Sequence, residues 1–248
     1  MLKTYGIIGF PLQHSFSQKY FTGKFATEGI TDCVYRNFPI PAIGKLPELL
    51  SLETSLIGLN VTIPYKKSVL GYLDRREKLP QGLDACNCIR IQNGELIGYN
   101  TDVIGFERSL LPLLQKQHTQ ALILGNGGAA EAVRFVLHKL GIPYRGVSRK
   151  LQAGTSLTYA DLDESVIRSH TLIINTTPLG TFPEVETYPD IPYSFLSKNH
   201  LLYDLVYNPA KTVFLQKGEE AGAAIKNGYE MLLIQAEESW RIWNENQD

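Results

Sequence analysis

Ala121-Leu122-Ile123-Leu124-Gly125-Asn126-Gly127-Gly128-Ala129-Ala130 is the stretch that decides how this chain folds. Four apolar residues run directly into a glycine-rich turn, and from 129 to 140 the apolar residues fall at helical spacing. A short buried strand, a tight turn and a helix are the setting that the dinucleotide fingerprint requires, and Gly125-x-Gly127-x-x-Ala130 has its form. Gly125 permits the turn, Gly127 lets the backbone approach a pyrophosphate, and Ala130 is small enough for the helix to lie on the strand. Gly128 ends the turn and Ala129 opens that helix, whose free N–H groups and positive dipole end suit phosphate. The competing reading is a glycine turn with no ligand; the strand and helix on either side weigh against it.

Downstream, a strand over 144–147 runs into Ser148-Arg149-Lys150. An NAD site carries an acid at this place for the ribose hydroxyls, whereas an NADP site carries a base for the 2′-phosphate. No acid is present. A guanidinium grips phosphate with two parallel hydrogen bonds and stacks on adenine, so Arg149 points to NADP, with NAD remaining possible. The alternative for Arg149 is a solvated basic turn. Further strands read over 171–175 and 201–204, and a long helix over 229–244. The stretch 150–158 holds Gly154 and small polar residues, and is too short for the full crossover helix a doubly wound domain has there.

Upstream, the pattern predicts a strand over 4–8 and a helix over 17–28 with Tyr20, Phe21 and Phe25 on one face. A strand over 34–38, a helix over 43–50 and a strand over 57–61 follow. Segments 85–91 and 95–99 flank Asn93-Gly94, a two-residue hairpin signal. A helix over 103–114 leads into the glycine-rich unit. The fold class is therefore α/β: an N-terminal unit with a mostly parallel sheet closed by an antiparallel ribbon, then a Rossmann-like doubly wound unit.

Bulk properties agree with two such units, because 248 residues exceed the roughly 100–150 of one ordinary domain. A formal charge of −1 gives no electrostatic reason to expect nucleic acid or an anionic membrane as partner. No apolar run approaches the ~20 residues of a membrane span, and the first residues lack a signal-peptide pattern. Three cysteines, odd in number, suit a reducing compartment, so the expected location is the cytoplasm. Cys86 and Cys88 are alternate residues of a predicted strand and are expected on one face; two thiols are too few for a metal site, and no metal is expected.

The first unit carries a scattered polar set. Ser15 and Ser17 stand two apart after His14, a spacing at which two hydroxyls reach one carboxylate. Asn60-Val61-Thr62-Ile63-Pro64-Tyr65-Lys66 puts polar groups at a strand end, where a pocket in an open sheet lies. Asn87 and Asn100-Thr101-Asp102 fall at two more element boundaries. Each has an ordinary explanation: Ser17 or Asp102 as a helix cap, Asn87 as a turn residue, Lys66 as a solvated lysine. Together they describe a site for a small polyhydroxylated acid.

These motifs, in this order, resemble the shikimate dehydrogenase family along nearly the whole chain. The matching pieces are His14-Ser15-Phe16-Ser17, Asn60 to Lys66, Asn100-Thr101-Asp102 and Gly125 to Ala129. Asn175-Thr176-Thr177-Pro178-Leu179-Gly180, Asp204-Leu205-Val206-Tyr207-Asn208-Pro209 and Met231-Leu232-x-x-Gln235-Ala236 complete the set. The resemblance implies reversible NADP-dependent oxidation of shikimate to 3-dehydroshikimate, physiologically the reduction, in aromatic amino-acid biosynthesis. It implies that Ser15, Ser17 and Tyr207 hold the substrate carboxylate and that Thr62, Asn87 and Gln235 bind hydroxyls. Lys66 and Asp102 would serve the reacting hydroxyl. Gly125, Asn126, Gly127, Gly128, Ala129, Ser148 and Arg149 would bind the dinucleotide, with Thr176, Leu205 and Gly228 lining the rest of its cleft. It also implies a substrate domain of residues 1–102 with 229–248, an inserted cofactor domain of 103–228, and a monomer or homodimer.

Chemically, oxidising a secondary alcohol needs a group to manage the hydroxyl proton. Burial lowers a lysine pKa and a nearby carboxylate raises it, so Lys66 reads either as a tuned base or as an ammonium stabilising an alkoxide. The chain departs from the family at Asn126, where alanine is usual, and at Ser148-Arg149-Lys150 in place of Asn-Arg-Thr. Cys86 and Cys88 replace valine and threonine, and Tyr229 stands in a usual leucine position. Two rivals stay open from sequence: a quinate-preferring sister enzyme, and a silent dinucleotide-binding sensor, against which the retained Lys66 and Asp102 argue.

Overall fold

The computed structural model describes residues 2–12 and 16–245. Ser15, assigned above to the carboxylate site, lies outside the described residues. The chain divides into two compact units, Met1–Thr101 with Gln235–Asp248, and Asp102–Ile234. The sequence places these changes one residue later at the first crossing, and at 228/229 at the second.

The first unit opens with β1 (Lys3–Gly9), α1 (Phe16–Thr27), β2 (Cys33–Pro39), α2 (Leu46–Leu52) and β3 (Leu56–Val61). It continues with β4 (Cys88–Gln92) and β5 (Glu95–Tyr99). Its sheet has the order β2-β1-β3-β4-β5. The first three strands are parallel, while β4 runs antiparallel to both β3 and β5. The β4–β5 turn is Asn93-Gly94 with φ values of 53° and 84°, the left-handed pair that an Asn-Gly hairpin uses.

Strand alternation divides the core of this unit between two faces. Ile8, Leu59 and Ile89 pack with Phe38, Leu46 and Val69 on one side, whereas Tyr5, Ile7 and Cys88 pack with Phe21, Phe25, Tyr35 and Trp243 on the other. Trp243 belongs to α7 (Tyr229–Asn244), whose final turns cover that second face. Its indole N–H donates to the Ile89 carbonyl at 2.9 Å, and a Cβ on Gly58 would stand 2.6 Å from the ring, so only glycine fits there.

Two expectations fail here. The predicted helix over 43–50 begins as a 3₁₀ turn, Ile43–Lys45, and becomes α-helical only at Leu46, with Pro47 in the first turn. Cys86 and Cys88 do not share a face. Strand β4 starts at Cys88, so strand alternation does not reach Cys86, which packs with Leu59 and Ile89 on the opposite side of the sheet.

The second unit comprises α3 (Thr101–Leu110, shared at its first residue), β6 (Ala121–Leu124), α4 (Gly128–Lys139), β7 (Tyr144–Ser148) and β8 (Leu157–Thr158). Then come α5 (Glu164–Ser169), β9 (Leu172–Asn175), β10 (Leu201–Asp204), α6 (Val213–Glu220) and β11 (Ala224–Lys226). All strand pairings are parallel, in the order β11-β10-β9-β6-β7-β8. Counted from β6, that is the 3-2-1-4-5-6 order of a doubly wound dinucleotide-binding sheet, with its topological switch between β6 and β9. Residues 149–156 form no helix and lead straight into the two-residue β8.

Candidate functional site

Lys66 sits in the turn that leaves β3. The turn closes because Tyr65 N–H donates to the Thr62 carbonyl at 2.9 Å, and Thr62 N–H to the Ile8 carbonyl at 3.0 Å. The Tyr65 hydroxyl anchors it by donating to the Ile40 carbonyl at 2.6 Å. The Lys66 carbonyl accepts the N–H of Cys86 at 2.8 Å, which draws the segment holding Asn87 alongside the lysine. Asn87 is fixed from both sides by its backbone, its carbonyl taking Val61 N–H at 2.8 Å and its N–H reaching the Tyr99 carbonyl at 3.2 Å. Lys66 and Thr62 are half-buried, whereas Asn87, Ser17 and Gln235 are buried.

The buried side chains are linked. Tyr35 donates to Asn60 Oδ1 at 2.7 Å, and Asn60 Nδ2 donates to the Ser239 hydroxyl at 3.0 Å. Ser239 and Thr101 share a contact of 3.3 Å, and Thr101 donates to Gln235 Oε1 at 3.3 Å. Burial raises the Tyr35 pKa well above a normal phenol while a hydrogen bond from Ser17 pulls it the other way, so Tyr35 stays protonated and links Ser17 to the chain of contacts. Sequence reasoning singled out Ser17, Asn87 and Gln235 as candidates but not Tyr35 and Ser239, which hydrogen-bond among them. Both sit among apolar neighbours at strand or helix spacing, and nothing local marks them.

Asp102 follows Thr101 directly, in the first turn of α3, where a carboxylate complements the positive end of the helix. It is buried.

The second unit gathers the predicted dinucleotide residues at the carboxyl ends of its strands. Gly125 has φ of +103°, and a Cβ there would lie 2.8 Å from Thr176 Oγ1, so the turn requires glycine on both counts. Gly127 precedes α4 in extended conformation, and a Cβ added to it would meet nothing within 4 Å. Open space over the backbone at the N-terminus of a twelve-residue helix is the cradle a pyrophosphate needs, so the residues present fit a dinucleotide. Thr176 closes against the turn by donating from its N–H (2.9 Å) and hydroxyl (2.7 Å) to the Leu124 carbonyl. Ser148 is buried, its hydroxyl turned into the following loop toward the Lys150 carbonyl and Thr155. Arg149 is exposed.

Leu205 and Gly228 meet at the ends of β10 and β11. Gly228 N–H donates to the Val206 carbonyl at 3.1 Å, and a Cβ on Gly228 would stand 2.2 Å from the Leu205 carbonyl oxygen. Beneath them lies Asp204, wholly buried, which accepts from Asn175 Nδ2 (2.9 Å), Val206 N–H (3.0 Å) and the Thr212 hydroxyl (2.6 Å). Burial pushes its pKa up to about 6 despite those donors. Tyr207 is half-buried and its phenol is raised by burial, so it remains a proton donor. The described residues hold no cluster of three or more metal-ligating side chains, and no helix among them is long and apolar enough to cross a membrane.

Comparison with known proteins adds to this geometry. Residues 7–89 match the family model of the shikimate dehydrogenase substrate binding domain. The chain is similar to the shikimate dehydrogenase (NADP(+)) of Methanococcus maripaludis strain C6, 36% identical over 260 residues covering 97% of this chain and 91% of the relative. It is similar to the solved shikimate 5-dehydrogenase from Thermus thermophilus in complex with NADP(H) and shikimate. That match has 26% identity and a TM-score of 0.84, and covers 99% of this chain and 94% of the other. A quinate dehydrogenase from Corynebacterium glutamicum in complex with NAD is similar at 26% identity and a TM-score of 0.85, with coverage of 99% and 94%.

Proposed function

Because the chain belongs to the shikimate dehydrogenase family, we propose that Lys66 and Asp102 manage the proton of the alcohol that is oxidised, while the glycine-rich turn and Arg149 hold the dinucleotide. The enzyme is an NADP-dependent oxidoreductase that interconverts shikimate and 3-dehydroshikimate in aromatic amino-acid biosynthesis. When bound, the nicotinamide supplies or accepts the hydride. Everything else falls to side chains of this chain.

The placement of Lys66 carries the reading of the site. Its turn is held by Tyr65, its carbonyl is joined to Cys86, and the neighbouring Asn87 is locked to Thr101, so the backbone that bears the Lys66 side chain is held in a rigid frame beside Asn87, one of the residues assigned to the ring hydroxyls. An ammonium has three donors and no acceptor, which suits it to bind the substrate oxygen and to pass a proton to it in the reductive direction. Asp102 takes part as the acceptor on that proton route. Ser17 and Tyr207, with Ser15, donate hydroxyls to the ring carboxylate; Thr62, Asn87 and Gln235 address the remaining hydroxyls. Gly125, Asn126, Gly127, Gly128 and Ala129 receive the pyrophosphate, Ser148 shapes the loop of Arg149, and Thr176, Leu205 and Gly228 line the cofactor cleft. A cytoplasmic enzyme is part of this proposal, supported by a cysteine count that is small and odd, three in all.

Initial rates with shikimate and with quinate, each with NADP and with NAD, test it. Shikimate with NADP is expected to give the highest kcat/KM of the four pairs. Faster turnover of quinate, or of NAD, contradicts the assignment.

A further inference from the structure

The loop 149–156 replaces a crossover helix, and something must hold it if Arg149 is to meet a phosphate in a fixed place. Arg134, on the second turn of α4, is the residue that does so. Its Nη2 donates to the side-chain oxygen of Asn126, in the glycine-rich turn, and to the Gly154 carbonyl at 3.3 Å. Asn126 completes the tie by donating from Nδ2 to the Ala153 carbonyl at 2.7 Å. Nη1 of Arg134 pairs with Glu131 at 3.3 Å.

The contact is tight. Gly154 has φ of +81°, and a Cβ on it would lie 3.0 Å from Asn126 Oδ1 and 3.3 Å from the Arg134 guanidinium carbon. Underneath, a Cβ on Gly146 would strike the Gly154 carbonyl at 2.4 Å, and the Gly146 carbonyl accepts Ser156 N–H at 2.9 Å. The loop is therefore pressed onto β7 from below and tied to the glycine-rich turn from the side. The Arg134 side chain keeps only 11% of its exposure, and its Nε is buried without a partner. A largely buried cation with an unmet donor is costly, and the structure tolerates it at this junction.

We infer that Asn126 and Arg134 form a positioning pair that sets the preference for a 2′-phosphorylated dinucleotide, by fixing the Arg149–Lys150 loop against the glycine-rich turn. The inference rests on the proposed dinucleotide site and adds Arg134, which the sequence motif does not contain. Arg134 acts through the loop. The part of the ligand it governs is the adenosine end, and within that end the 2′-phosphate, because the pyrophosphate is received by backbone N–H groups of α4 that do not depend on the loop.

Binding of adenosine 2′,5′-bisphosphate and of 5′-AMP to the full chain, measured by titration calorimetry, separates the two parts of the site. In the Arg134→Met variant the bisphosphate is expected to lose affinity about tenfold, while 5′-AMP loses less than about threefold. Arg134→Lys, which keeps one donor for Asn126, should recover part of the loss. Gly154→Ala attacks the same junction from the exposed loop, without emptying a buried site, and should show the same selective loss. Equal losses for both nucleotides, or none, in Gly154→Ala and in folded Arg134→Met overturn the inference. Shikimate-dependent NADP reduction by the unaltered chain reports separately on the assigned reaction, so the two failures are told apart.

Discussion

Asn87 accepts the backbone N–H of Thr101 on its side-chain oxygen at 2.6 Å and returns an N–H to the Thr101 hydroxyl at 3.0 Å. Both residues are buried, and Thr101 is the first residue of α3, immediately before Asp102. One amide thus joins the segment beside Lys66 to the start of the helix that carries the acid. Asn87→Ala strands the buried N–H of Thr101 and removes one partner of its hydroxyl, and should cost about 1–3 kcal/mol of stability. Urea unfolding measures this as a lowered midpoint at unchanged slope.

How much of this was legible beforehand depends on how local each signal is. The bounds expected for β6, β10 and α7 coincide with those observed, because an apolar run ending in glycine or a polar turn marks them directly. The absence of a helix after Arg149 was also readable, from Gly154 and its small polar neighbours. Short α5 and α6 escaped, since six and eight residues hold too few helical repeats to stand out. In the candidate site, residues within motifs were singled out, but Tyr35, Ser239 and Arg134 were not. Their roles come from neighbours far along the chain, such as Asn60 to Ser239, which only the folded sheet and helix bring together.

Gly228 illustrates a constraint that tertiary approach creates. The Leu205 carbonyl lies where its Cβ would be, so Gly228→Ala must push apart the segments that carry Leu205 and Tyr207. Displacement of that order typically costs large factors in a positioned reaction. The variant should raise KM for NADP, with at least about a tenfold drop in kcat/KM for the cofactor. Steady-state kinetics at saturating shikimate checks it.

Asp204 gives a pH signature. Its folded pKa, about 6, exceeds the ordinary carboxylate value because burial disfavours the charge. The folded state therefore holds more protons than the unfolded state between about pH 4 and 6, and the contribution of this group to stability falls as pH rises through that window. Asp204→Asn removes the titration. Its stability relative to the parent should improve by roughly 1–3 kcal/mol between pH 4 and pH 7. Denaturant unfolding of both proteins across that range measures the difference; a constant offset would show that Asp204 does not titrate there.

The central claim is that Lys66 works on the proton of the reacting alcohol. Its frame depends on backbone and on Tyr65, so replacing the side chain alone leaves the turn intact. The decisive measurement is kcat for shikimate oxidation by Lys66→Met at saturating NADP, set beside shikimate affinity of the same variant. A loss of about 10²–10⁴ in kcat, with affinity changed less than about tenfold, is the predicted result. Near-normal kcat, or a loss confined to affinity, would contradict the account.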